Sequence, residues 1–317
     1  MNRRPLGKSG FEIAPLVLGG NVFGWTADEA TSFSILDAFV AAGFNMIDTA
    51  DVYSVWAPGN KGGESETIIG KWLKRRGKRD DVIIASKVGW ELSATHKGLA
   101  KSYILSEVET SLTRLGTDYI DLYQSHIDDP KTPVEETLEA HAQLVRQGKV
   151  RVIGASNFGA PRLKESLEVS RRKGYPFYRT LQPLYNLSDR DPYEAELEGL
   201  CASEGLGVIT YFSLASGFLT GKYRSEKEIV GKARAGEVMK HFTPRGQRIL
   251  KALDAAAARH GVKQGQIALA WLIARPSVTA PIASATSLAQ LAELIRSTEI
   301  SLDRDTIETL NQASAPS

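Results

Sequence analysis

The sequence predicts an α/β fold, a (β/α)8 TIM barrel with an N-terminal β-hairpin cap and a long loop after its seventh strand. Three observations predict it. Eight short apolar runs alternate with longer segments of helical period. The runs are continuously apolar rather than alternating, as strands buried on both faces of a parallel sheet are. Strand-then-helix units of roughly 30 to 40 residues, repeated eight times, fill about the length such a barrel needs. The 317 residues are therefore read as one domain, residues 1–317.

The elements follow in order. "RRPLGKSGFEI" places a Gly-Lys-Ser-Gly turn between two short strands, a hairpin that caps the barrel floor. The eight strands are read at "PLVLGG" (15–20), "FNMID" (44–48), "DVIIASK" (81–87), "YIDLYQSH" (119–126), "VRVIGASN" (150–157), "RTLQPLYN" (179–186), "GVITYF" (207–212) and "TAPIASA" (279–285). Between them lie amphipathic helices. In "ILSEVETSLTRLG", Ile104, Val108, Leu112 and Leu115 recur on one helical face. Pro133 marks the start of the next helix and Gly148 its end. Gly174, and Gly205 or Gly207, close the two after that. The stretch from Ser213 to about His241 reads as a long loop, and loops that long in a compact domain are usually functional. A last helix runs from about Asp303 to Gln312.

The competing architecture is a doubly wound open sheet. No G-x-G-x-x-G follows any strand, and no shift in composition marks a second domain. "GFLTGKY" (217–223) has three residues between its glycines where a P-loop has four, and Tyr223 where that loop needs Ser or Thr for magnesium.

Composition excludes several classes of function. The 39 basic and 37 acidic side chains nearly cancel, so no global field draws nucleic acid or an anionic membrane. The densest basic run, "KWLKRRGKRD" (71–80), reads as a solvated helix C-terminus. The lone Cys201 permits no internal disulfide and reads as a small buried apolar residue in a helix. The N-terminus lacks the apolar core of a signal peptide, and no apolar run reaches about 18 residues. A soluble, cytoplasmic protein is expected, with no nucleic-acid or membrane partner; its oligomeric state is not set by the sequence. His96, His126, His141, His241 and His260 are scattered, so no metal site is expected.

In a parallel barrel the strand C-termini open on one face, where active sites form. The second strand ends in Asp48 with Tyr53 just beyond, the third in Lys87, the fourth in His126, the fifth in Ser156 and Asn157; the sixth carries Gln182 and the seventh Tyr211. Taken singly, Asp48 suits a helix cap, Lys87 can snorkel to solvent, Tyr53 can anchor a loop and His126 can be a satisfied core histidine. Together at one mouth they form a candidate site in which Asp48 counters the charge of Lys87.

These residues resemble the aldo-keto reductase family nearly end to end. The motifs are "GFNMIDTADVYS" (43–54), "IIASKVG" (83–89), "DLYQSH" (121–126), "VRVIGASNF" (150–158), "LQPLYN" (181–186) and "YFSLASGFLTGKY" (211–223). The last looks most like the branch that holds bacterial reductases and potassium-channel β subunits. The resemblance implies a nicotinamide cofactor bound without a Rossmann fold, NADP(H) preferred and NAD(H) possible. It implies reversible reduction of a small-molecule aldehyde or ketone. Tyr53 would be the general acid, Lys87 its activator, Asp48 the partner of Lys87, and His126 the group that orients substrate. A free tyrosine has a pKa of about 10, and a nearby ammonium lowers it. Asp48 and Lys87 are expected at the mouth, within reach of water.

By the same resemblance Ser156, Asn157 and Gln182 hold the nicotinamide carboxamide, Tyr211 stacks on its ring, and Gly20, Asn21 and Val22 line the cofactor beside the first strand. Phe212, Ser213, Leu214, Ser216, Gly217, Leu219 and Lys222 would wrap the pyrophosphate. Lys222 and Arg234 match a lysine and an arginine that approach the cofactor phosphates, with Lys232 and Lys240 in reserve. Ser284, Thr286, Gln290, Glu293 and Leu294 would face the adenosine end. The chain departs from the family there: it has no Lys or Arg near Ser284 to Thr286, and Leu294 stands where many relatives have an adenine-binding Asn. "YFSL" also replaces the commoner Tyr/Trp-Ser-Pro-Leu, altering the backbone at Phe212 and Ser213. Trp25, Trp90 and the loop "VWAPGN" would shape the substrate pocket. The alternative functions are a cofactor-binding regulatory subunit with little turnover, which the short N-terminal segment disfavours, and a Schiff-base lyase with Lys87 as nucleophile.

Overall fold

The computed structural model describes residues 2–231 and 234–316. The chain opens with an antiparallel hairpin, β1 (Arg4–Pro5) and β2 (Glu12–Ile13). A closed parallel barrel follows: β3 (Val17–Gly19), β4 (Met46–Asp48), β5 (Ile83–Val88), β6 (Ile120–Ser125), β7 (Val150–Ser156), β8 (Tyr178–Gln182), β9 (Gly207–Thr210) and β10 (Ala280–Ala283). β10 pairs with both β9 and β3, which closes the ring. The helices between and after the strands are α1 (Glu29–Ala41), α2 (Glu64–Arg76), α3 (Lys101–Leu115), α4 (Val134–Arg146), α5 (Ala160–Lys173), α6 (Glu198–Glu204), α7 (Ala235–Met239), α8 (Pro244–His260), α9 (Gln264–Ala274), α10 (Leu288–Arg296) and α11 (Arg304–Ala313).

The local chemistry explains these boundaries. α3 buries Ile104, Val108, Leu112 and Leu115, the predicted stripe, and stops at Gly116, whose φ of 61° suits a residue without a Cβ. α4 starts beside Pro133 and carries Glu135 and Glu136 in its first turn, where they complement the helix dipole. Gly174 and Gly205 close α5 and α6.

The hairpin does seal the floor. Its Leu6 and Ile13 pack with Val17, Met46, Ala85, Leu122, Ile209 and Ala280, the inward residues of the barrel. Each of the Leu, Ile, Val and Met side chains among them stabilises the fold by about 1.5–3 kcal/mol on burial. The seal is tight: a Cβ on Gly7 would lie 2.2 Å from the Gly207 nitrogen.

All eight strands form, but several are shorter than their apolar runs. β8 ends at Gln182 because Pro183 has no N–H to continue the ladder. β9 ends at Thr210, before Phe212 turns to a positive φ of 51°. The stretch after β9 is more structured than a loop. It holds a 3-10 turn (Ala215–Thr220) and α7, and anchors itself with buried Phe218, Leu219, Ile229 and Val238. The basic run closes α2 as expected, although Arg76 is drawn into a bidentate pair with Asp81 and Arg79 makes a single bond, at 2.6 Å, to buried Asp121. Cys201 is buried in α6, and burial pushes its thiol up to about 12. Among the described residues no helix is long and apolar enough to cross a membrane.

Candidate active site

The register of the barrel brings the polar strand ends together. Asp48 at the end of β4 stands opposite Ala85 of β5, and Lys87 lies two residues on, on the same face. Lys87 in turn stands opposite Gln124 of β6, and Ser156 of β7 opposite Gln182 of β8.

Three atoms form a triangle. Lys87 Nζ donates to Asp48 Oδ2 at 2.7 Å and to the Tyr53 phenolic oxygen at 2.7 Å. The Tyr53 hydroxyl donates to the same Asp48 Oδ2 at 3.2 Å. The third ammonium proton goes to the Thr49 carbonyl at 2.8 Å, so Lys87 has no donor left over. Asp48 Oδ1 accepts from Gln182 Nε2 at 2.8 Å and from Gln124 Nε2 at 3.4 Å.

Two expectations need correction here. Asp48 and Lys87 do not lie within reach of water: Asp48 is 2% exposed and Lys87 fully buried, because the loop carrying Thr49 and Tyr53 folds over them. Nor is the Tyr53 phenol lowered. Burial, together with the Asp48 carboxylate, holds it well above the usual phenol range and outweighs the ammonium beside it. Burial also lowers Lys87, against the pull of Asp48. Tyr53 is thus a neutral phenol, loaded with the proton an acid needs. His126 is held neutral as well, by burial and by the Lys87 charge. Its ring lies 5.9 Å from that of Tyr53 and 5.1 Å from that of Trp90.

Ser156, Asn157, Gln182 and Tyr211 meet at one side of the triangle, engaged with one another. Ser156 Oγ donates to the Gln182 carbonyl at 2.9 Å. Asn157, at a φ of 55°, donates to the His126 carbonyl at 2.9 Å and accepts from the Tyr211 hydroxyl at 2.7 Å. A ligand amide held here exchanges with these bonds. On the opposite side the Gly20 amide donates to the Asp48 carbonyl, Ser284 Oγ to Asn21 Oδ1 at 2.6 Å, and the Val22 carbonyl takes the amides of Trp25, Thr26 and Ala27.

After β9 the backbone runs through positive φ at Phe212, Ala215, Ser216 and Gly217. Such backbone is costly for residues with a Cβ. Among the described residues the amides of Ser213 and Leu214 meet no acceptor in the chain. Lys222 lies over Gly217, where a Cβ would be 3.3 Å from Nζ. Free amides beside a lysine fit a phosphate-bearing group. Ser213 Oγ is engaged with the Thr210 carbonyl, and the Leu219 side chain faces the core, so only their backbone is available to a ligand.

Arg234 packs over the Trp25 ring at 5.5 Å and forms no ion pair among the described residues. Lys240 pairs with Glu237, and Lys232 lies outside the described residues. At the far end Thr286 donates twice to Gln290 Oε1, at 2.9 and 3.0 Å. Leu294 is buried against the core, which removes its side chain from any ligand.

Three neighbours escaped the sequence reading. Gln124 sits near the end of β6, two residues before His126, so alternation pointed to it. Thr49 acts through its carbonyl, which no side-chain pattern reveals. Trp56, by contrast, belongs to the loop "VWAPGN" already assigned to the substrate pocket, and lies 6.0 Å from the Tyr53 ring and 5.7 Å from Trp25. Lys263, from the start of α9, pairs with Glu293 and so brings a cation to a segment that has none of its own there.

Comparison with known proteins gives the family. A family model described as "Aldo/keto reductase family" matches residues 15–315. The chain is 36% identical over 316 residues to the uncharacterized oxidoreductase YrpG of Bacillus subtilis (strain 168), covering 96% of this chain and 94% of that protein. It is 34% identical to the aldo-keto reductase YhdN of the same organism, over 93% of this chain and 86% of that one. It is 32% identical to a probable voltage-gated potassium channel subunit beta of Oryza sativa subsp. japonica, over 95% and 92%.

Proposed function

The chain belongs to the aldo/keto reductase family, and from that premise we propose that it reduces an aldehyde or ketone to an alcohol, with NADP(H) preferred over NAD(H) and Tyr53 as the proton donor. The observation that carries this reading is the Asp48–Lys87–Tyr53 triangle at 2.7, 2.7 and 3.2 Å.

A bound nicotinamide cofactor supplies the hydride. Tyr53 gives its phenolic proton to the carbonyl oxygen as the alcohol forms. The phenolate left behind is stabilised by the Lys87 ammonium already bonded to its oxygen. Asp48 fixes that ammonium in place. A neutral His126 carries one ring N–H and so can donate to the same carbonyl oxygen. Gly20, Asn21, Val22, Ser156, Asn157, Gln182 and Tyr211 form the inner part of the cofactor cradle. The backbone of Phe212 to Leu219, with Lys222 and Arg234, would hold its phosphates. Ser284, Thr286, Gln290 and Glu293 border the adenosine end. Trp25, Trp56 and Trp90 line the way in for substrate.

The test follows cofactor absorbance while a panel of aldehydes, ketones and sugars is offered to the purified protein with NADPH. Turnover on at least one is expected. Binding of NADPH with no turnover on any would instead favour a cofactor-binding subunit with little turnover; the Oryza sativa relative is named a probable voltage-gated potassium channel subunit beta.

A further inference from the structure

Behind the triangle lies a second buried group of charges that the reaction above leaves unused. Asp51 is fully buried, and among the described residues neither of its carboxyl oxygens meets a donor. Its amide donates to the Lys87 carbonyl at 3.2 Å, so the residue is tied to the strand position that carries Lys87. It also stands two residues before Tyr53 and three after Asp48.

The groups that face it are few. Glu66 comes from α2, and Tyr103, Glu107 and Arg114 from α3. Lys87 comes from β5, Tyr123 from β6, and Tyr53 from its own loop. Arg114 is committed to Glu66 at 3.1 Å and to Glu107 at 3.0 Å. Glu66 takes a further bond from Ser86, the neighbour of Lys87. Lys87 has given its three protons to Asp48, Thr49 and Tyr53. Three acids thus share one guanidinium, and Asp51 is the one left without a counter-charge. An ionised carboxylate buried unpaired is far costlier than a protonated one.

We propose that Asp51 is a positioning residue for the Lys87–Tyr53 pair that works as an uncharged carboxylic acid: by staying neutral it leaves Asp48 as the one anion against which Lys87 is aligned. Burial, with the Glu66 and Glu107 carboxylates nearby, pushes its carboxyl well above the usual carboxylate range. A negative Asp51 would disfavour the phenolate form of Tyr53 and pull on the ammonium that stabilises it. Proton donation would then slow as Asp51 ionises at alkaline pH.

The functional half of this inference rests on Tyr53 as proton donor; the charge state of Asp51 does not. Infrared difference spectroscopy of the protein at pH 8 should show the carbonyl stretch of a protonated carboxyl. The signal should vanish in Asp51→Asn and persist in Glu107→Gln. In turnover, Asp51→Asn should keep kcat within about twofold at neutral pH, and its alkaline limb should move to higher pH than that of the unaltered protein. Absence of the protonated-carboxyl signal overturns the proposal, and the unaltered protein alone suffices for that measurement should Asp51→Asn fail to fold. So does a coincident pH profile in Asp51→Asn, or a loss of more than about tenfold in its kcat with an unchanged melting transition, because the carboxylate charge would then be in use. Turnover retained in Tyr53→Phe would remove the proton-donor reading while leaving the infrared result standing.

Discussion

Lys87 Nζ lies 2.7 Å from the Tyr53 phenolic oxygen, and both groups bond to the same oxygen of Asp48. The pair is dry, so its charges are compensated by one another rather than by solvent. That single relationship sets what each substitution in the site does.

Tyr53→Phe should keep the fold and the affinity for NADPH while lowering kcat by roughly 10²–10⁴-fold, the range a positioned proton donor contributes. Among the described residues the phenolic oxygen bonds only Lys87 and Asp48, so losing it leaves the packing of the ring intact. Steady-state turnover on an aldehyde, set beside a cofactor titration, checks it. Near-normal turnover would remove Tyr53 from the acid role.

Lys87→Met should cost stability as well as activity, because it strands the buried Asp48 carboxylate. Breaking one partner of a buried pair costs about 3–5 kcal/mol, whereas replacing both often costs little. Asp48→Asn with Lys87→Met should therefore be more stable than Lys87→Met alone, though equally inactive. Denaturant melts of the two variants decide the matter. Equal midpoints would mean that Asp48 finds other donors, Gln182 and Gln124 being nearest.

Stability should fall as pH drops from about 6.5 toward 4. His141 is fully buried behind β6, and burial pushes its ring down to about 4 from 6.5. Across that window the unfolded chain takes up a proton that the folded chain refuses, so acid favours unfolding. His126 is held down in the same direction and adds to the slope. Melting temperature measured against pH should be flatter in His141→Gln than in the unaltered protein. An unchanged slope would place the acid sensitivity elsewhere.

Arg234→Ala should weaken NADPH binding more than NADH binding. Arg234 has no ion pair among the described residues, so its charge is available to a 2′-phosphate. Lys222→Ala should weaken both cofactors to similar degree, since both carry the pyrophosphate. Quenching of the protein's tryptophan fluorescence reads each dissociation constant. Equal constants for the two cofactors, unmoved by Arg234→Ala, would indicate an enzyme that uses either.

The sequence by itself determined the barrel, its floor hairpin and the residues at its mouth. Apolar run length, helical period and glycine stops are local properties, and a strand end in a parallel barrel has only one face to open on. Hence Asp48, Tyr53, Lys87 and His126 could be picked out as candidates from strand-end position, while their roles came from the family resemblance. What only the tertiary structure decided was environment. Asp48 meets Lys87 across 39 residues and Gln182 across 134, and no local pattern says how deeply such a meeting is buried. Closure of the Thr49–Tyr53 loop over the ammonium reversed the expected direction for the Tyr53 phenol, since desolvation there outweighs one neighbouring charge. The same distance in sequence hid Lys263 beside Glu293 and the turn of Leu294 into the core. Chemistry at a site is set by the dielectric and the partners around a group, and both arise only when the chain has closed on itself.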